Sequence, residues 1–124
     1  MTEETRKGKT KLGRWGEQAA AEYLETKGFQ ILDHNVRTPY GEIDLVAEFD
    51  QQLVFVEVKT RSSTRFGHPE EAVGEDKITH IIESAQSFLQ EQPNPDQDWR
   101  IDVVAIVRLP GEEPEITHFE NAVA

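Results

Sequence analysis

The chain has no cysteine. This excludes disulfides and thiolate metal ligation and fits a cytoplasmic protein. Positive charge is scarce: 13 lysines and arginines stand against 24 aspartates and glutamates, a formal net charge of −11 over 124 residues. Nucleic-acid binders usually carry the opposite sign, although the distribution of charge matters more than its sum. The longest apolar runs are of strand length, far short of a bilayer span, so no membrane association is expected. The opening Met1-Thr2-Glu3-Glu4 is polar, without the apolar stretch of a secretory signal. There is no Gly-rich phosphate loop, nucleophile elbow or HExxH pair, no internal repeat and no low-complexity tract. His34, His68, His80 and His118 show no ligand spacing and read as surface or loop residues.

What is present is one domain's worth of chain with unevenly placed charge. Arg6, Lys7, Lys9, Lys11 and Arg14 crowd the start, and Glu112, Glu113, Glu115 and Glu120 crowd the end. Residues 1–11 read as a flexible basic arm, 12–120 as a single domain and 121–124 as a tail. Leu12 to Lys27 has helical periodicity through Leu12, Trp15, Gly16, Ala19, Ala20, Tyr23 and Leu24, with Gly28 as the residue after the cap. Glu17 falls at the border of that apolar stripe, where it can reach a sheet edge or simply complement the helix dipole. Phe29 to Asn35 reads as a strand and Arg37 to Gly41 as a turn. Residues 41–49 and 52–61 read as a hairpin, with Asp50-Gln51 or the longer Glu48 to Gln52 stretch as its turn. Ser62 to Gly74 is a long polar connection with a helical turn expected at Pro69 to Val73. A second helix is expected over Lys77 to Glu91 with Asp76 as its N-cap. Ile101 to Val107 is a near-continuous apolar strand of the kind found at a sheet centre, and Ile116 to Phe119 a short edge strand. The order is α-β-β-β-α-β-(β). The second hairpin strand, the second helix and the Ile101 strand form a βαβ unit, so these two strands should be parallel.

The hairpin carries the chemistry. Gly41-Glu42-Ile43-Asp44 lies on its first strand, and Glu57-Val58-Lys59 follows the apolar run Leu53-Val54-Phe55-Val56 on its second. With a two- or four-residue loop, Asp44 faces Glu57 and Glu42 faces Lys59, with Cβ atoms roughly 4.5–5.5 Å apart. A one-residue slip would place the two acids on opposite faces. Opposed carboxylates repel, and a divalent cation between them reverses the sign of that interaction. The bland reading is a solvated strand face on which Glu42 and Lys59 form a cross-strand ion pair. Arg37, Arg61 and Lys77 lie beside these motifs and either contact phosphates or balance the carboxylates.

An Asp followed across a hairpin by Glu-x-Lys resembles the signature of the PD-(D/E)XK nuclease superfamily, to which restriction endonucleases and archaeal Holliday-junction resolvases belong. The chain more closely resembles the YraN family of bacterial proteins, uncharacterised protein family 0102. The matching stretches are Gly13-Arg14-Trp15-Gly16-Glu17, Asn35-Val36-Arg37, Gly41-Glu42-Ile43-Asp44-Leu45-Val46 and Phe55-Val56-Glu57-Val58-Lys59-Thr60-Arg61. They continue with Phe66-Gly67-His68-Pro69, Ala72-Val73, Lys77 and Arg100-Ile101-Asp102-Val103-Val104-Ala105-Ile106. The resemblance implies a restriction-endonuclease-like αβββαβ core, a mixed β-sheet flanked by helices. It implies Mg²⁺ or Mn²⁺ held by Asp44, Glu57 and the main-chain carbonyl of Val58, with Lys59 orienting or deprotonating the attacking water. Glu17 resembles the helix-one glutamate of the resolvase branch, and Arg37 a phosphate-contacting arginine there. The implied partner is DNA, branched DNA included, and the implied reaction is phosphodiester hydrolysis. A non-catalytic nucleic-acid-binding or adaptor module on the same fold is the alternative, and the net charge favours it. The oligomeric state is left open, a homodimer included.

Overall fold

The computed structural model describes residues 9–63 and 74–122. Its elements are α1 (Lys11–Thr26), β1 (Gln30–Thr38), β2 (Gly41–Phe49), β3 (Gln52–Arg61), α2 (Glu75–Gln90), β4 (Trp99–Val107) and β5 (Glu115–Phe119). This is the expected αβββαβ order with the fifth strand added. The sheet runs β1-β2-β3-β4-β5. β3 and β4 are parallel, as the βαβ unit requires, and the other neighbouring pairs are antiparallel. The helical turn expected at Pro69 to Val73 lies outside the described residues.

Local chemistry accounts for the element ends. Thr10 caps α1 by accepting the Gly13 N–H at 2.9 Å. At the other end Gly28 takes φ +94°. Its N–H donates to the Glu25 carbonyl at 3.1 Å, and that of Phe29 donates to Leu24 at 3.0 Å. This is a Schellman ending, with Leu24 and Phe29 in one apolar cluster. Asp50 and Gln51, at φ +52° and +64°, form the two-residue turn between β2 and β3. Both central residues are left-handed, which matches the twist of the flanking strands.

Three sequence expectations shift. β1 runs on to Thr38, because Thr38 pairs with Gly41 and the turn narrows to Pro39-Tyr40. α2 begins at Glu75 behind Gly74, which has no side chain to cap with, so Asp76 sits in the first turn and not at the cap. There its charge complements the helix dipole. Lys9 and Lys11, expected in the basic arm, are held in the fold: Lys11 is already helical and Lys9 pairs with Asp44. At the far end the Asn121 and Ala122 N–H groups donate to Asp102 and to the Ile101 carbonyl.

Two apolar layers sandwich the sheet. On one face Ala20, Ala21 and Leu24 of α1 pack on Leu45, Ala47, Val54, Val56, Val104 and Ile106. On the other, Ile81, Ala85 and Leu89 of α2 pack on Ile43, Val46, Leu53, Phe55 and Ile101. Phe55 meets the Phe88 and Trp99 rings edge-on at 5.5 and 5.9 Å. α1 lies so close to β3 that a Cβ at Gly16 would stand 2.9 Å from Thr60 Cβ and nearer still to its hydroxyl. Glycine there is a packing requirement. It lets the helix bring Glu17 down onto the sheet.

Candidate metal centre at a fork in the sheet

The register is the one that places Asp44 across from Glu57. β2 and β3 pair from Phe49↔Gln52 to Leu45↔Val56, and the next step of that series is Asp44 and Glu57. There the ladder stops. β2 stays with β1 through Thr38↔Gly41, and β3 stays with β4 through Arg61↔Val107. The two central strands part, and the sheet forks at Asp44.

Asp44 takes the place of the missing ladder partner. Its Oδ2 accepts the Val58 N–H at 2.8 Å. A strand residue's N–H and C=O point to the same side, so the Val58 carbonyl faces the fork as well. Side-chain alternation also breaks here: Ile43 and Val46 both face α2, whereas Leu45 and Ala47 face α1. Opposite the break on β1, Asn35 is left-handed at φ +50°. Asp44 is therefore rotated out of the regular pleat and can serve both sides of the fork.

On the α1 side, oxygens of Glu17, Glu42 and Asp44 lie within 4.8 Å of one another. Glu17 and Asp44 are buried, at 6% and 4% exposure. Lys9 Nζ stands among them, 2.8 Å from Asp44 Oδ1, 3.3 Å from Glu42 Oε1 and in direct contact with Glu17 Oε2. Burial works against the ammonium charge, but the neighbouring carboxylates outweigh it and hold the Lys9 pKa above the ordinary lysine value. For Glu17, burial is the largest influence, and its pKa is raised even against the Lys9 hydrogen bond.

On the α2 side, Glu57 is 4% exposed. One of its oxygens, Oε1, takes two ammonium groups, Lys59 and Lys77, each at 3.1 Å. Burial first and the Asp44 charge second push the Glu57 pKa up. Lys77 sits in the first turn of α2 and reaches back across the sheet end; despite burial, Glu57 raises its pKa.

The expected site residues can now be placed. Asp44, Glu57, Val58, Lys59, Glu17 and Lys77 all converge on the fork. The Glu42–Lys59 ion pair of the bland reading does not form, because the strands have already parted: Lys59 turns to Glu57, and Glu42 turns to Lys9 and to Arg37, 4.0 Å away. Arg37 lies on the exposed rim, and Arg61 is exposed, its guanidinium donating to the Thr60 carbonyl at 3.1 Å. Sequence reasoning missed Lys9, assigned to a solvated arm, and Glu42 as a member of the acidic group. The one signal for Lys9 was its place directly before the Thr10 cap.

A second polar cluster was also missed. Asp102, on the strand read as near-continuously apolar, is fully buried. It accepts Arg100 Nε and Nη2 at 2.9 and 3.1 Å, His118 Nε2 at 2.7 Å and the Asn121 N–H at 2.9 Å. His118, read as a surface residue, has a side chain only 1% exposed. Lys27 can only donate, so at 2.7 Å it makes His118 Nδ1 the acceptor and leaves the proton on Nε2, facing Asp102. This cluster ties β5 to β4 and lies apart from the fork.

The residues at the fork fit a divalent cation. Carboxylate and carbonyl oxygens are the donors that Mg²⁺ and Mn²⁺ take. A cationic group, the Lys9 ammonium, already stands among three of the carboxylates. Glu42 Oε1 is buried with no hydrogen bond among the described residues and has only the ionic contact of the Lys9 ammonium there, 3.3 Å away.

Comparison with known proteins shows the family to which the chain belongs. Residues 16–106 match the model of a family described as "Uncharacterised protein family UPF0102". A UPF0102 protein of Syntrophotalea carbinolica is 50% identical over 111 residues, covering 90% of this chain and 89% of the relative. A UPF0102 protein of Syntrophomonas wolfei is also 50% identical over 111 residues, covering 90% and 96%. One from Beutenbergia cavernae is 42% identical over 115 residues, covering 93% and 98%. The chain belongs to the UPF0102 family, which is the YraN family.

Proposed function

We propose that this protein is a Mg²⁺- or Mn²⁺-dependent endonuclease-like protein that hydrolyses phosphodiester bonds of DNA, branched DNA included. The observation that carries the reading is the fork itself. The sheet gives up its ladder at Asp44 and brings Glu17, Glu42, Asp44 and Glu57 to one opening beside the Val58 carbonyl and the Lys59 ammonium. Buried like charges are costly unless something of opposite sign is held there.

When bound, the cation would supply Lewis-acid stabilisation of developing phosphoryl charge and a more acidic water. The chain's residues divide the remaining work. Asp44, Glu57 and the Val58 carbonyl would hold the ion, and the Val58 N–H fixes Asp44 in position. Glu57 in turn pairs with Lys59, whose ammonium would hold the attacking water for in-line approach. Lys77 and the rim residues Arg37 and Arg61 supply positive charge for the flanking phosphates.

The net charge of −11 favours one other reading, a nucleic-acid-binding adaptor that does not cut. A panel of single-stranded, duplex, flapped and four-way DNA with Mn²⁺ separates the two. Cleavage that Asp44→Ala and Glu57→Ala abolish, and that Lys59→Ala slows by about 10²–10⁴-fold, supports the enzyme. Salt-sensitive binding without product supports the adaptor. Cleavage that survives Asp44→Ala would overturn the assignment.

A further inference from the structure

Lys9 stands immediately before the Thr10 cap, and its ammonium contacts Glu17, Glu42 and Asp44. From this geometry we infer that Lys9 is a built-in surrogate cation: it occupies the acidic pocket of the fork in the metal-free protein and must withdraw when a divalent ion binds. The inference rests on the proposed metal site and adds a competitor for it.

Asp44, shared by Lys9 and the proposed ion, sets the two cations in competition. Mg²⁺ draws its oxygens to roughly 2.0–2.1 Å, and the three carboxylates have oxygens within 4.8 Å of one another around the ammonium. An ion bound through Asp44 would stand within a few ångströms of an Nζ that is itself 2.8 Å from Asp44 Oδ1. At that separation the two cations repel strongly in a partly buried site. The chain also allows the exchange. The first turn of α1 is secured from Thr10 onward, by Gly13 N–H to Thr10 Oγ1 at 2.9 Å and Arg14 N–H to the Thr10 carbonyl at 3.0 Å. Lys9 can therefore leave without unwinding the helix that carries Glu17. Without the ion, Lys9 offsets the repulsion among the acids. With it, the lysine is released to the protein surface at the mouth of the fork.

Calorimetric titration of Mn²⁺ into the full-length chain tests this. Lys9→Gln should bind Mn²⁺ about tenfold or more tightly than the wild type, because the competent state no longer has to expel the ammonium, and Asp44→Asn should not bind. In the unsubstituted protein, amine-labelling mass spectrometry should show Lys9 modified slowly without Mn²⁺ and faster at saturation, relative to the exposed Lys27. This second measurement stays decisive if Lys9→Gln fails to fold. Equal or weaker binding by Lys9→Gln, with Lys9 labelling unmoved by Mn²⁺, would overturn the displacement while leaving the metal site standing. Absence of Mn²⁺ binding by wild type and variant alike would overturn both.

Discussion

A full negative charge is stable inside the sheet at Asp102 because donors from Arg100, His118 and Asn121 converge on it. Burial alone would raise its pKa, but these hydrogen bonds outweigh burial and hold it below the ordinary value. A carboxyl with a depressed folded pKa adds stability in full above the unfolded value, near pH 4. That contribution is lost as pH falls through the folded pKa. Asp102→Ala should therefore cost about 2–4 kcal/mol at neutral pH in urea unfolding, since it leaves the half-buried Arg100 guanidinium without its main partner and breaks the hold on β5. Asp102→Asn should flatten the acid limb of the stability profile. A wild-type acid limb unchanged by Asp102→Asn would contradict this role. The sequence showed Arg100 and Asp102 two apart on an apolar strand, which puts them on one face, but not that His118 and the tail close over them. That is a long-range contact that no local pattern reports. Lys9 was illegible for the same reason: its partners are Glu17, Glu42 and Asp44, brought to it by tertiary packing.

Among the elements, the β2–β3 hairpin was the most legible, because Asp50-Gln51 is a two-residue turn that sets register, and register sets which side chains meet. The fork was not legible. Pairing rules extend a ladder until something ends it, and here the end comes from the rotation at Asp44 and the left-handed Asn35 opposite. The approach of α1 is the other element-level feature, and Gly16 permits it. Gly16→Ala should cost about 1–3 kcal/mol by overpacking against Thr60. It should also lift Glu17 from the acidic group and weaken Mn²⁺ binding. Unchanged thermal stability would show that the contact can relax freely. Asp76 illustrates a lesser limit: an acidic residue near a helix start is either cap or first turn, and backbone angles at Gly74 decide it.

At the scale of the whole molecule, two helices cover opposite faces of one mixed sheet, and the fork at its centre is where both reach the same opening. α1 delivers Glu17 and α2 delivers Lys77, while the strands supply Glu42, Asp44, Glu57 and Lys59. No helix among the described residues is long and apolar enough to cross a membrane. The fold order and every one of these residues except Glu42 were legible because they sit in short contiguous motifs on helices and strands of clear periodicity. The division of the acids between an α1 side bound to Lys9 and an α2 side bound to Lys59 and Lys77 needed three dimensions. The proposed function requires a divalent cation in the fork. Anomalous diffraction from crystals grown with Mn²⁺ tests it most directly. A peak within coordination distance of an Asp44 carboxylate oxygen and the Val58 carbonyl, with Lys9 withdrawn, is the result expected. Density showing the Lys9 ammonium still seated among Glu17, Glu42 and Asp44, with no Mn²⁺ in the fork, would contradict it.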